Sequence, residues 1–229
     1  MDRVSEKGKL YIFTSYTPGA GKSYRMVAMA CENEDAVKVG FLNSAHRDMT
    51  KLLDDYDVAL GDFSKYSVNE ILDEQPDAVI FDELGMLSRN RDLRRTKKKH
   101  SSKTTKINSY IYNDIDTILE AGINVYASAN LKRFESANPF FKEITGIGVK
   151  TKVPDEYLEK AEKIIFIDRE PDLMIQDYKE GKLFVDKYMK SKIMKKNFLP
   201  ETLIKYREAS LKYLKQFGDK VEVVHRSGE

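Results

Sequence analysis

Leu10-Tyr11-Ile12-Phe13 is a continuous apolar run. Pro18-Gly19-Ala20-Gly21-Lys22-Ser23 follows it, and a helical pattern then runs from Tyr24 to Met29. A strand that is apolar throughout, rather than alternating, suits a parallel sheet covered on both faces. The turn behind it must reverse the chain tightly, and Gly19 and Gly21 reach backbone angles closed to other residues. Their N–H groups can then point into one concavity at the positive end of the helix, an arrangement that takes up phosphate. In such a loop Lys22 would reach the β- and γ-phosphates and the Ser23 hydroxyl would hold Mg²⁺. Pro18, Gly19, Ala20, Gly21, Lys22 and Ser23 are therefore the candidate phosphate-binding residues, with a capped surface turn as the plain alternative. The usual pattern has another glycine five residues before Gly21, where this chain has Tyr16.

Further apolar runs complete an α/β pattern. Val37 to Asn43 reads as a strand. Ala78-Val79-Ile80-Phe81 is a strand that runs into Asp82-Glu83. Strand-end acids lie at the carboxyl edge of a parallel sheet, where open α/β folds bind ligands. Asp82 would hold Mg²⁺ through a water, and Glu83 would orient and deprotonate an attacking water or hydroxyl. The alternative is an acidic pair that only caps a strand. Asn124 to Asn130 and Lys163 to Asp168 are further strands, and Leu183-Phe184-Val185 is a short extended piece. Asn130, again at a carboxyl edge, would sense the γ-phosphate or position water, or else serve as an ordinary strand-end residue. Helical patterns cover Arg47 to Asp54, part of Phe63 to Glu74, Ser109 to Leu119, Glu156 to Ala161 and Pro171 to Tyr178. A turn is expected at Asn138-Pro139, with a glycine-punctuated bend from Ile144 to Val149. The fold class is a P-loop NTPase-like three-layer αβα domain with a mainly parallel sheet and a C-terminal helix. With no internal repeat and no dividing linker, residues 1–229 read as one domain.

Arg89 to Lys106 holds nine basic residues and one acid, so this segment carries +8 in a chain whose net charge is +2. It reads as a solvated basic insertion. Three uses are open: no specific ligand, a polyanion contact, or a lid in which Arg89, Arg91 or Arg94 folds over the phosphates. A nucleic-acid-linked ATPase is motivated by this segment alone. The segment has no interleaved aromatic residue, which argues against a base-stacking platform. Cys31 is the only cysteine, and His46, His100 and His225 show no metal-ligand spacing. The N-terminus is polar and no apolar run approaches the roughly 18 residues of a membrane span. A soluble, cytoplasmic protein is the expectation. Leu199, Leu203, Tyr206, Ser210, Tyr213 and Phe217 form one stripe along a tail helix. The stripe either folds back on the domain or makes a contact with a partner or with a second copy in a homodimer.

The order of motifs resembles the N-terminal cytoplasmic domain of KdpD, the osmosensitive potassium-channel sensor histidine kinase. The matching stretches include Gly8 to Phe13, Pro18 to Ser23, Val79 to Leu84, Glu120 to Tyr126 and Asn130 with Glu135-Ser136 and Asn138. They continue through Ile144-Thr145-Gly146, Val153-Pro154-Asp155, Glu180-Gly181-Lys182 and Arg207-Glu208. The resemblance implies a P-loop domain that binds ATP with Mg²⁺ and modulates a membrane histidine kinase controlling potassium uptake. By that carry-over Gly19, Gly21, Lys22 and Ser23 bind nucleotide, and Asp82 and Glu83 complete the site. The enzymatic alternative is transfer of a phosphoryl group to water or to a protein hydroxyl. Asn43-Ser44-Ala45-His46-Arg47 keeps only its arginine from the family's Glu-Thr-His-Gly-Arg, and Met86 stands where the family has histidine. Nothing here resembles transmembrane helices or a histidine-kinase core, so the chain reads as a stand-alone relative or a fragment of a larger sensor.

Overall fold

Five of the apolar runs form strands where the sequence predicts them. These are β1 (Leu10–Thr14), β2 (Val37–Phe41), β3 (Ala78–Phe81), β4 (Asn124–Ser128) and β5 (Lys163–Arg169). The computed structural model describes residues 6–42, 50–58, 64–94, 109–146, 148–183 and 192–226. A sixth strand, β6 (Val221–Arg226), was not anticipated. The strand order is β2-β3-β4-β1-β5-β6, and every neighbouring pair is parallel. Ala78 to Phe81 and Ile164 to Ile167 are buried on both faces, which is why these runs do not alternate.

Parallel neighbours need crossovers, and helices supply them. α1 (Lys22–Asn33) links β1 to β2, α2 (Thr50–Asp55) and α3 (Val68–Glu74) lead to β3, and α4 (Ile111–Glu120) leads to β4. α5 (Asn138–Thr145) and α6 (Glu156–Glu159) precede β5. α7 (Pro171–Lys179), α8 (Lys192–Asn197) and α9 (Pro200–Leu214) precede β6. The result is a three-layer αβα arrangement. Since all six strands run the same way, their carboxyl ends share one edge.

Several expectations shift. Where a turn was expected at Asn138-Pro139, α5 begins, with Pro139 in the first turn, where a missing N–H costs nothing. Gly146, at φ +72°, ends that helix. The tail helix stops at Leu214, and a 3₁₀ stretch over Lys215–Lys220 turns the chain into β6. Most of the stripe on α9 is buried inside the chain, while Leu199 at its start is exposed. Leu203, Tyr206, Ser210 and Tyr213 are buried there, and Arg207 donates bidentate bonds to Asp168 of β5 at 2.7 and 2.8 Å. Leu183 is described within a turn, and Phe184 and Val185 lie outside the described residues.

Candidate functional site

Between β1 and α1 the chain takes the conformation the two glycines were expected to allow. Gly19 has φ +94° and Gly21 φ +106°. Gly21 is also the N-cap residue of α1, without a side-chain cap. The N–H groups of a helix start thus lie at Lys22 and Ser23, both buried. Lys22 donates from Nζ to Ser15 Oγ at 3.1 Å, and the Ser15 hydroxyl donates to the Thr17 carbonyl at 2.7 Å. Tyr16, at the position of the missing glycine, is fully buried and donates its hydroxyl to the Arg169 carbonyl. That residue holds the loop's stem against β5, a task glycine has no side chain to perform.

The acids after β3 lie beside this loop. Ser23 Oγ donates to both carboxylate oxygens of Asp82, at 3.3 and 3.2 Å. Asp82 also accepts from the Ser128 hydroxyl. Ser128 ties down the rest of the turn as well. Its Oγ accepts from the Glu83 N–H at 3.2 Å and its carbonyl from the Leu84 N–H at 2.8 Å. Glu83 has φ +63°, which for a non-glycine residue stores about 1 kcal/mol or more of backbone strain. Its carboxylate does not point free. Oε2 lies 3.3 Å from Arg133 Nε.

Arg133 comes from a short 3₁₀ turn, Leu131–Arg133, that follows β4 and was not singled out in the sequence. Lys132 in the same turn has its ammonium pushed down to about 8, first by burial and then by the positive charges of Arg133 and Lys22, with Glu83 opposing. Three cations, Lys22, Lys132 and Arg133, therefore converge on one region. Asn130, which opens this turn, is buried, and its side-chain oxygen finds no hydrogen-bond partner among the described residues. The Thr17 hydroxyl is likewise buried without one. The signal for Lys132 and Arg133 was available as two cations directly behind a strand-end asparagine.

Of the basic insertion, Arg89, Arg91 and Arg94 are described and residues 95–106 lie outside the described residues. Arg91 pairs with Glu70 of α3 at 2.5 Å, and the Arg91 N–H donates to the Tyr66 carbonyl at 2.7 Å. Arg91 is thus engaged with α3 rather than with the phosphate loop. Asn43 to Arg47, with His46, and also His100, lie outside the described residues. Among the described residues no group of three or more His, Cys, Asp or Glu forms a metal cluster, and no helix is long and apolar enough to cross a membrane. The donor set at the loop, one hydroxyl and one carboxylate, is hard oxygen throughout and suits Mg²⁺, which takes few protein ligands and shares the rest with water and phosphate.

The family model for the KdpD osmosensitive K⁺ channel His kinase sensor domain matches residues 6–217. The chain belongs to this family. The Sensor protein KdpD of Clostridium acetobutylicum is 27% identical over 223 residues, 92% of this chain and 23% of the relative. The Sensor protein KdpD of Escherichia coli is 28% identical over 192 residues, 78% of this chain and 20% of the relative. The chain thus spans about a fifth to a quarter of the length of these two relatives. Among solved structures, thymidylate kinase from Ehrlichia chaffeensis aligns over 97% of this chain and 89% of its own, with a TM-score of 0.40 and 13% identity.

The family's own motifs acquire a physical role here. The Val153 N–H donates to the Arg133 carbonyl at 2.8 Å and the Glu135 N–H to the Val153 carbonyl at 3.2 Å. Asp155 accepts from the Ser136 N–H at 3.0 Å, and Asn138 donates to the Lys132 carbonyl at 2.9 Å. Val153-Pro154-Asp155 and Asn138 thus hold the turn that presents Lys132 and Arg133.

Proposed function

We propose that the chain is an ATP-binding regulatory domain of a potassium or osmotic two-component system, working in the cytoplasm on a membrane histidine kinase. The observation that carries the reading is the bond between Ser23 and Asp82. It joins the phosphate loop to the acidic strand end at 3.2 Å, although the two residues are 59 positions apart in sequence. Pro18 to Ser23 would receive the phosphates through the N–H groups of the loop and of α1. Bound Mg²⁺ would supply neutralisation of the phosphate charge, with Ser23 and Asp82 as its protein oxygens. Lys22 would leave Ser15 for the phosphate chain, and Asn130, whose oxygen lacks a partner among the described residues, would be available to a polar guest.

The Glu83–Arg133 pair favours switching over turnover. The Glu83 carboxylate is turned onto the Arg133 guanidinium and not toward an attacking water. A terminal phosphate would compete for Arg133, so binding and the posture of the turn after β4 are coupled. The test is isothermal titration of the full chain with ATP and Mg²⁺. Saturable heat in the wild type that Lys22→Ala abolishes is the expected result, and absence of heat in both would end this reading.

A further inference from the structure

Arg133 has Glu83 as its counter-ion at 3.3 Å, but the lysine beside it has none. Lys132 is partly buried, and among the described residues no acid forms an ion pair with it. Its ammonium lies 5.9 Å from the centre of the Tyr206 ring of α9. Arg133 and Lys22 act on that ammonium as like charges, and Glu83 as an opposite one. Sheet order explains how they meet. β4 lies between β1 and β3, so the Leu131–Arg133 turn behind β4 stands between the phosphate loop behind β1 and the acids behind β3. A lysine kept in such a place without a carboxylate costs stability. An apolar side chain would pack toward Tyr206 without that cost.

Two orphaned polar groups belong to the same two segments. Asn130, 4% exposed, opens the turn, and its side-chain oxygen has no partner among the described residues. Thr17, 1% exposed, belongs to the loop, and its hydroxyl has none either. Buried polar groups are almost always bonded in native chains, so two orphans in adjacent segments mark a place for a polar guest. The Thr17 hydroxyl can donate to a phosphate oxygen, and the Asn130 oxygen can accept from a water that hydrates it. An anion held here would also draw in the Lys132 ammonium. In a phosphate loop the N–H groups take the inner phosphates and the lysine reaches the outer two. The far end of the phosphate chain, on the side of Asp82 and Glu83, then meets the turn behind β4. We infer that Lys132 contacts the terminal phosphate of a bound nucleoside triphosphate, so that this turn tells a triphosphate from a diphosphate. The inference rests on the phosphate-loop reading above and deepens it, since it assigns the residue that reads the last phosphate.

The test titrates the full chain with Mg²⁺·ATP and with Mg²⁺·ADP, in the wild type and in Lys132→Met and Lys132→Arg, and melts each without ligand. The wild type should prefer ATP. Loss of one charge-assisted contact predicts that Lys132→Met binds ATP about tenfold more weakly, with its affinity for ADP nearly unchanged. Lys132→Arg should keep most of the preference, and Lys132→Met should melt no lower than the wild type. That combination separates a phosphate contact from a strut, because losing a strut would lower the melting temperature and weaken both nucleotides alike. An unchanged preference for ATP in Lys132→Met, or equal losses for both nucleotides, overturns the inference and leaves the phosphate loop standing. So does a wild type that binds both nucleotides equally. A wild type that binds neither removes the phosphate-loop reading, and the inference with it.

Discussion

Lys132 is a cation of the candidate site displaced below the ordinary lysine range. Burial and the neighbouring charges of Arg133 and Lys22 lower it to about 8, so its folded value is below its unfolded one. The unfolded chain then binds more protons between about pH 8 and the ordinary lysine range, and the folded state gains stability as pH rises through that window. Below pH 8 the protein carries the full penalty, on the order of 1–3 kcal/mol. Lys132→Met should therefore be more stable than wild type at pH 7 by roughly that amount, with the gap closing toward pH 10.5. Urea unfolding at a series of pH values measures it, and a gap that is constant with pH would show that Lys132 is not the titrating group. Such a cation is useful in a phosphate site, since a bound anion would repay its charge locally.

Among the elements, α9 depends on a single ion-paired anchor. Arg207 bridges Asp168, which is 1% exposed, and Glu170 at 2.8 Å. The pairing holds the guanidinium above its usual range. Arg207→Ala leaves a buried carboxylate whose remaining ion-pair neighbour among the described residues is His225, at 3.3 Å. The expected cost is about 3 kcal/mol by urea denaturation, and a change below 1 kcal/mol would mean that apolar packing alone holds α9. Elements of this kind show where the sequence was readable. β1, β3 and β5 were plain because a strand buried on both faces carries an unbroken apolar run, and the Gly19–Ser23 turn was plain because glycine readily reaches its angles. β6 was not, because as an edge strand it mixes Val221, Val223 and Val224 with Glu222, His225 and Arg226, and Val223 stays 39% exposed. Lys132 and Arg133 were missed for a different reason. The local sequence shows two cations behind Asn130, but their convergence comes from what β4, α5 and the Val153–Asp155 stretch do to one short turn.

At the scale of the whole molecule the question is how a bound phosphate would be felt elsewhere. The structure supplies a continuous physical route. Glu83 pairs with Arg133, whose carbonyl accepts from Val153. Ser136, three residues on, bonds through its hydroxyl to the Tyr213 hydroxyl of α9 at 2.6 Å. Ser136 and Tyr213 also line a groove of about 760 Å³ between α5 and α9, with Phe140, Lys205 and Lys212 on its walls. None of the candidate phosphate residues lines that groove, and the turn after β4 is one route that joins it to the site. If phosphate draws Arg133 away from Glu83, the turn and its contacts to α9 must adjust as one unit. Hydrogen exchange of the full chain with and without Mg²⁺·ATP is the check. Protection is expected at Gly19–Ser23 and Asp82–Leu84, and also at Leu131–Ser136 and around Tyr213. Tyr213→Phe, which deletes only the hydroxyl, should remove the change on α9 and keep the change at the loop. Protection confined to the loop in the wild type would mean that the domain binds without signalling through α9.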